Sequence, residues 1–291
     1  MFKPQGIIPA MVTPMTQDEQ INEKELRAQV NRMVAAGVHG LFCLGTNGEF
    51  YALSLEEKLE VIRIVTDENK GRLPVYAGTG CITSRDTIYL SQKAKELGVD
   101  ALSIITPYFV AVSQDEIYSH YKEIAEAVAL PIVLYNIPMR TGNNIEYKTL
   151  QRLAEIENIV GIKDSSGNFD NMLRYIEETA GSVAVLSGND SLILSALMAG
   201  GTGSISGIAN LFPEILVKIY ELWQKGDIEG AKTVQGSLRP IRDTLKLGNP
   251  NSIVKRAMNL LGYQVGPARR PAAGVSEKAD EAILKALEYY K

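Results

Sequence analysis

The chain has 291 residues, of which 45% are hydrophobic, and its 30 basic and 34 acidic residues give a net charge of −4. Because no extended basic run is present, a surface for nucleic acid or for an anionic membrane is not indicated. No segment approaches the roughly 20 uncharged apolar residues of a membrane helix, and residues 1–14 lack a signal peptide's apolar region, so we expect a cytoplasmic protein.

Cysteine and histidine are scarce in this sequence. The chain contains two cysteines, Cys43 and Cys81, and two histidines, His39 and His120. The cysteines form no CxxC pair, and each histidine stands alone. A zinc site needs closely spaced ligands and a disulfide framework needs several cysteines, so neither is expected. Any carbonyl chemistry would then proceed without a metal ion.

Short apolar runs alternate with longer amphipathic stretches from Gly6 to Gly226. The runs are continuous rather than alternating, which predicts strands that are covered on both faces, as in a parallel sheet. The predicted strands are Gly6–Val12, Gly40–Leu44, Val75–Gly78, Ala101–Ile105, Ile132–Tyr135, Ile159–Ile162, Val183–Leu186 and Gly203–Ile205.

Helical periodicity separates these runs. Ser54 and Glu57 can form a capping box, and glycines such as Gly37 and Gly98 stand where helices should stop. The predicted helices are Ile21–Ala36, Ser54–Asp67, Thr83–Leu97, Ser113–Val128, Tyr147–Glu157, Asn168–Thr179, Asp190–Ala199 and Pro213–Lys225.

Eight β-α units over this length predict an α/β fold, a single (β/α)8 TIM barrel that occupies residues 1–226. A doubly wound sheet is the alternative, and it is weakened because no GxGxxG motif follows the first strand. Only helical patterns remain in residues 227–291, which predicts a C-terminal helical extension. Its predicted helices are Asp227–Leu247, Asn251–Leu261 and Ser276–Tyr290.

The residues that follow the predicted strands are the candidates for chemistry, because the working face of such a barrel lies at the carboxyl ends of its strands. Lys163 follows the run that ends at Ile162, and there it would point into the barrel mouth. Apolar surroundings favour the neutral amine, which can attack a ketone. The alternative is a strand-end lysine that reaches out to water.

Three further groups would share this face. Tyr135 could move protons during imine formation, or it could be a core tyrosine with a satisfied hydroxyl. Arg140 offers a rigid fork for a carboxylate, or it is a solvated loop arginine. The segment Gly45–Glu49 presents backbone N–H groups for an anion, or it is simply a tight turn. Together these groups form a coherent site for imine chemistry on a keto acid, which requires no cofactor and no metal.

Four motifs carry a resemblance to a known family: Gly45-Thr-Asn-Gly-Glu49, Tyr135-Asn-Ile-Pro138, Gly161-Ile-Lys163-Asp and Leu186-Ser-Gly188. With them, the whole chain resembles the dihydrodipicolinate synthase / N-acetylneuraminate lyase family of class I aldolases. The resemblance implies a TIM barrel with a helical tail and small-molecule substrates, namely a pyruvate-type keto acid and an aldehyde. It also implies a homotetramer built as a dimer of dimers.

The resemblance assigns roles to residues of this sequence. Lys163 matches the lysine that forms the Schiff base, Tyr135 the tyrosine that transfers protons, and Thr46 the hydroxyl that relays them. The backbone N–H groups of Thr46 and Asn47 would hold the pyruvate carboxylate, and the carbonyl of Ile205 would lie close to the keto acid.

Three more residues complete the expected substrate site. Arg140 matches the arginine with which dihydrodipicolinate synthases receive the carboxylate of the second substrate. Gly188 belongs to a matched motif, and Asp190 is available for a hydroxyl group of the substrate.

Three departures from the family pattern bear on the substrate. Phe109 stands where these synthases usually carry a second tyrosine, donated across the dimer interface, and phenylalanine cannot carry a proton. Asn47 replaces the usual second threonine of its loop, and Phe50 follows Gly-Glu as in family members that act on 2-keto-3-deoxy sugar acids. These departures favour a 2-keto-3-deoxy sugar acid aldolase.

Arg140 favours the alternative, a 4-hydroxy-tetrahydrodipicolinate synthase that joins pyruvate to aspartate semialdehyde. A keto-acid dehydratase and a non-catalytic keto-acid sensor are further alternatives.

Overall fold

Eight parallel strands form a barrel, as the computed structural model of residues 2–272 and 274–291 shows. The strands are β1 (Gly6–Pro9), β2 (Leu41–Cys43), β3 (Val75–Gly78), β4 (Ala101–Ile105), β5 (Ile132–Asn136), β6 (Ile159–Asp164), β7 (Ala184–Ser187) and β8 (Gly203–Ser206). They pair in the order β1-β8-β7-β6-β5-β4-β3-β2, and a parallel bridge from Ala10 to Phe42 brings β2 beside β1. The predicted (β/α)8 TIM barrel is confirmed.

Helices surround this barrel and continue into a tail. Nine α-helices lie in the described part of the chain before residue 227: α1 (Glu23–Ala35), α2 (Leu55–Asn69), α3 (Ser84–Glu96), α4 (Gln114–Ala127), α5 (Pro138–Thr141), α6 (Tyr147–Leu153), α7 (Phe169–Thr179), α8 (Ile193–Met198) and α9 (Pro213–Gln224). The tail contains α10 (Ile228–Ser237), α11 (Arg239–Thr244), α12 (Pro250–Leu260) and α13 (Glu277–Glu288). Within the described ranges, none of the helices has the length and apolar character needed to span a membrane.

The strands are buried on both faces, which explains their continuous apolar sequences. Alternate strand residues such as Ile8, Val133 and Ile205 form one apolar cluster. Their neighbours, such as Ile7 and Leu134, belong to a second and larger cluster together with residues of the helices. This division follows from the twofold alternation of side chains along a strand.

Some boundaries differ from the prediction. Strand β1 ends at Pro9 rather than Val12, because the Val12 N–H leaves the sheet and donates to the side chain of Asn210 at 3.0 Å. Strand β6 continues to Asp164, so that Lys163 lies inside a strand. Arg140 lies on α5, a short helix that is not among those predicted from the sequence, with Pro138 in its first turn.

Helix ends show where local signals were sufficient. The predicted capping box is present at α2, where Glu57 N–H donates to Ser54 Oγ and Ser54 N–H donates to the Glu57 carboxylate. The predicted helix Asp227–Leu247 is instead broken into α10, α11 and a 3₁₀ turn. The break falls beside Pro240, which lacks the backbone N–H that a continuous helix would need. The predicted division at residue 226 stays a prediction.

Candidate active site

A cavity of about 380 Å³ opens at the carboxyl ends of the strands. All eight residues that the sequence singled out contribute to its lining: Thr46, Asn47, Tyr135, Arg140, Lys163, Gly188, Asp190 and Ile205. They come from five different strands or the loops that follow them. The structure therefore brings the predicted residues together, and the barrel's closure is what makes them neighbours.

Lys163 and Tyr135 are partners in the register between β5 and β6. Their side chains consequently leave the sheet on the same side. Lys163 Nζ lies 4.1 Å from the centroid of the Tyr135 ring and 5.5 Å from that of Phe42. Lys163 is 5% exposed, and within the described part of the chain its Nζ has no hydrogen bond or ion pair. This amine is free to face a substrate.

Gly188 makes room for that amine. A Cβ atom at this position would lie 2.9 Å from Lys163 Cε and 1.9 Å from Ser165 Oγ. Any side chain here would push Lys163 out of its position. Steric space for Lys163 therefore explains why the Leu186-Ser-Gly188 motif ends in glycine. The spacing of residues in the sequence did not reveal this reason.

A hydroxyl pair adjoins the amine. Tyr135 Oη and Thr46 Oγ1 lie 3.1 Å apart, and either can donate to the other. Tyr135 is 3% exposed, so the pair is shielded from bulk water. Two hydroxyls in contact can pass a proton from one to the other.

The turn that carries Thr46 also offers unused donors. Among the described residues, no acceptor receives a hydrogen bond from the backbone N–H of Thr46 or of Asn47. Asn47 is in turn close to Gly207, where an added Cβ would lie 2.6 Å from Asn47 Nδ2. Free N–H groups on the wall of a cavity can bind a carboxylate.

A buried polar network behind the site holds β5 and β6 together. Asn136 Nδ2 donates to Asp164 Oδ1 at 3.0 Å, and Ile145 N–H donates to Asn136 Oδ1 at 3.0 Å. Burial raises the pKa of the Asp164 carboxyl, and the hydrogen bond from Asn136 opposes this. Since Asn136 and Asp164 each follow a site residue, the network fixes the backbone that presents Tyr135 and Lys163.

Arg140 and Asp190 lie on other parts of the lining. Arg140 is exposed and, in residues 2–272 and 274–291, makes no hydrogen bond or ion pair. Asp190 is 4% exposed, and its Oδ2 accepts from the Ile208 N–H at 3.3 Å, whereas Oδ1 lacks a partner among the described residues. Burial raises the pKa of the Asp190 carboxyl.

Sequence reasoning missed the contribution of the tail. Arg242, Lys246 and Asn251 also line the cavity, although they follow no strand. Asn251 Nδ2 donates to the carbonyl of Thr46 at 2.8 Å and to Tyr51 Oη at 3.0 Å. The Asn249-Pro-Asn251 sequence is a turn signal that could have drawn attention to this segment.

Two of the three departures from the family pattern are absent from the described lining of this cavity. Phe109 is 92% exposed, with a φ of 76°, and it is absent from the described lining. Phe50 is 6% exposed and packs edge-on against Tyr108 and Tyr51. Of the three departures, only Asn47 belongs to the described lining of this cavity, whereas Phe50 lines an adjoining pocket together with Thr46 and Arg140.

Comparisons with known proteins agree with this geometry. The model of the dihydrodipicolinate synthetase family matches residues 3–289. The 4-hydroxy-tetrahydrodipicolinate synthase of Methanopyrus kandleri is 42% identical over 289 residues, covering 99% of this chain and 96% of the relative. Synthase 1 of the same name from Halalkalibacterium halodurans is 39% identical, covering 97% of this chain and 95% of the relative.

A solved structure is similarly close. The chloride-inhibited dihydrodipicolinate synthase from Acinetobacter baumannii, complexed with pyruvate, superimposes with a TM-score of 0.95 at 36% identity, covering 98% of both chains. The names of these relatives do not support the expected sugar acid aldolase, which rested partly on Phe50 and Phe109. The chain belongs to the dihydrodipicolinate synthetase family, whose members are pyruvate-dependent carbon–carbon lyases of the class I, Schiff-base type.

Proposed function

We propose that this protein is a 4-hydroxy-tetrahydrodipicolinate synthase that joins pyruvate to aspartate semialdehyde through a Schiff base on Lys163. One observation carries the proposal: the buried Lys163 amine, which has no polar partner among the described residues, lies against the Tyr135 ring, whose hydroxyl contacts Thr46. The 42% and 39% identities to enzymes of this name support the choice of the two substrates.

The proposed reaction begins when Lys163 Nζ attacks C2 of pyruvate and water leaves, which forms an imine. The imine draws electrons from C3, so that a proton leaves C3 and an enamine forms. C3 of the enamine then bonds to the aldehyde carbon, whose oxygen takes up a proton. The amine of aspartate semialdehyde attacks C2, which closes the ring and releases Lys163 Nζ as the free amine. The hydroxyls of Tyr135 and Thr46 carry these protons, and the N–H groups of Thr46 and Asn47 hold the pyruvate carboxylate.

The second substrate would enter from the open side of the cavity. Arg140 has no protein partner among the described residues, and its guanidinium can receive the carboxylate of aspartate semialdehyde. Asp190 lines the same cavity, and its carboxylate can accept a hydrogen bond from the substrate. Asn47 lines the same cavity and offers a further polar contact.

The proposal includes a homotetramer. Phe109 combines a left-handed backbone conformation with almost complete exposure, a costly arrangement for a large aromatic residue. A second copy that covers Phe109 would offset this cost. Light scattering coupled to gel filtration should give four times the mass of 31.8 kDa, and a monomeric mass would contradict the assembly.

Borohydride trapping tests the chemistry directly. We expect reduction in the presence of pyruvate to leave a pyruvyl adduct on Lys163, identified by peptide mass spectrometry. Condensation of pyruvate with aspartate semialdehyde should then proceed with a kcat of roughly 1–10³ s⁻¹. An adduct without condensation would retain the lyase class and reject the second substrate. Faster cleavage of a 2-keto-3-deoxy sugar acid would replace the proposal.

Removal of the Tyr135 hydroxyl should slow proton transfer. We expect Tyr135→Phe to lower kcat about 10²- to 10⁴-fold, because the hydroxyl next to Lys163 and Thr46 is lost while the ring remains. Steady-state kinetics measure the effect. Thr46→Ser keeps the second hydroxyl and should retain most activity, whereas Thr46→Val removes it and should not. Equal kcat values for the two Thr46 variants would rule out the relay.

A further inference from the structure

Arg242 reaches the catalytic cavity from the tail rather than from the barrel. It lies on α11 and lines the same space as Lys163. Its Nε donates to Ser191 Oγ, and its Nη2 donates to Asn189 Oδ1 at 2.5 Å. These two bonds hold the planar guanidinium in one orientation against the loop that follows β7.

Arg242 is not held in a direct ion pair within the described residues, although its charge acts on Asp190 and opposes the rise in the pKa of that carboxyl. Both of its acceptors are uncharged, and no carboxylate among the described residues lies within 4.0 Å of it. By contrast, Arg27, Arg256 and Arg269 each pair with a carboxylate at 3.0 Å or less. An oriented guanidinium without an anion, placed on a cavity wall, is suited to bind an anion from solution.

The cavity as a whole is cationic, although the chain carries a net charge of −4. Its described lining contains four basic residues, Arg140, Lys163, Arg242 and Lys246, against a single acid, Asp190. Lys246 is exposed and pairs with an aspartate outside the cavity. Burial raises the pKa of Asp190, which disfavours its charged form. The excess positive charge therefore centres on Arg140 and Arg242 once Lys163 has formed an imine.

We propose that Arg242 determines specificity by binding the carboxylate of the aldehyde substrate together with Arg140. This inference rests on the proposed function, since pyruvate's own carboxylate is taken to occupy the N–H groups of Thr46 and Asn47. When pyruvate occupies those N–H groups, the cationic side chains of the cavity remain available to the second substrate. Arg242 Nη1 has no partner in the described structure and is the donor left for the incoming carboxylate.

The rival interpretation is purely structural: Arg242 would only tie α11 to Asn189 and Ser191. Arg242→Gln separates the two, because the amide can still donate a hydrogen bond but carries no charge. Arg239→Gln is the matched control. It removes the same charge from the same helix, and Arg239 is exposed and outside the described lining.

The first assay is steady-state condensation of pyruvate with aspartate semialdehyde. We expect Arg242→Gln to raise the KM for aspartate semialdehyde about ten- to a hundredfold, the ratio typical of a lost charge-assisted hydrogen bond. The kcat and the KM for pyruvate should change little, and Arg239→Gln should match the unmodified protein. Equal losses with both substrates, together with a lowered Tm, would establish the structural role instead.

The second assay does not depend on turnover. Calorimetric titration with butyrate and with 1-butanol, at saturating pyruvate, compares two four-carbon probes that differ in the carboxylate. Butyrate should bind the unmodified protein and Arg239→Gln, and lose affinity in Arg242→Gln, whereas 1-butanol should not distinguish the three proteins. If aspartate semialdehyde is not consumed, this pattern would still support the anion site while the proposed function fails. Butyrate affinity that is unchanged in Arg242→Gln would overturn the inference, even in an active synthase.

Discussion

Replacement of Lys163 by alanine should abolish lyase activity, with a fall in kcat of at least about 10³-fold. The ε-amine is the protein group that attacks the substrate in the proposed reaction, and no other lysine touches the Tyr135 ring in the described structure. Lys163→Arg should be equally inactive, because a guanidinium keeps the positive charge but does not form an imine with pyruvate.

Folding should survive this change. Lys163 faces a cavity and holds no hydrogen bond within the described residues, so its loss leaves no buried partner unsatisfied. The circular dichroism spectrum and Tm should therefore resemble those of the unmodified protein. Lys122→Ala is a suitable control, since Lys122 is 49% exposed on α4. A borohydride adduct or full activity in Lys163→Ala would show that another group forms the Schiff base.

Replacement of Lys255 by methionine should destabilise the protein more than any exposed ion-pair substitution. Lys255 Nζ lies 2.5 Å from Glu49 Oε1, and the two side chains are 1% and 0% exposed. Burial lowers the pKa of the Lys255 ammonium, and the Glu49 charge opposes this shift. Removing the lysine would leave a buried carboxylate without its cation, which costs about 3–5 kcal/mol. The Tm should fall by about 10 °C in a chain of this size.

The same change should also reduce activity. Glu49 closes the turn that begins at Thr46, and its Oε2 accepts from the Arg269 N–H at 2.8 Å. Without its cation, the Glu49 carboxylate would be more stable in contact with water, and its movement toward solvent would displace this turn. We therefore expect a lower kcat in Lys255→Met from displacement of the Thr46 hydroxyl, even at temperatures where the protein remains folded.

A double substitution tests the cause. Glu49→Gln combined with Lys255→Met removes both charges and keeps an acceptor for Arg269, so it should recover much of the lost stability. Thermal unfolding of the single and double variants measures this coupling. Lys232→Met breaks an exposed pair with Glu229 and should leave the Tm nearly unchanged. If Lys255→Met behaved like Lys232→Met, the buried pair would not stabilise the fold.

Local patterns in the sequence were sufficient for the barrel and for the residues at its strand ends. The continuous apolar runs predicted eight strands because a strand covered on both faces must be apolar throughout. Lys163 and Tyr135 could be paired in advance because neighbouring parallel strands end on the same face. The capping box at Ser54 and Glu57 was likewise visible, since its two members are only three residues apart.

Substrate choice was harder to predict, and the preference for a sugar acid aldolase is not supported by the relatives. It rested on the residue types at Asn47, Phe50 and Phe109. A sequence does not show how far each of these side chains lies from the substrate. In the folded chain, Phe50 is packed among aromatic residues, and Phe109 is almost fully exposed and absent from the described lining of the cavity. A change of residue type affects specificity only where the side chain reaches the ligand.

The sequence by itself determined the class of fold and the strand end at which Lys163 lies, because both follow from periodicity over a few residues. Only the tertiary structure decided which parts of the tail reach the site. Asn251 contacts the Thr46 turn across 205 residues of chain, and Arg242 meets the loop after β7 across more than 50. Such contacts depend on how whole helices pack on the barrel mouth. The sequence of an amphipathic helix shows which of its faces is apolar, but not which surface that face will pack against.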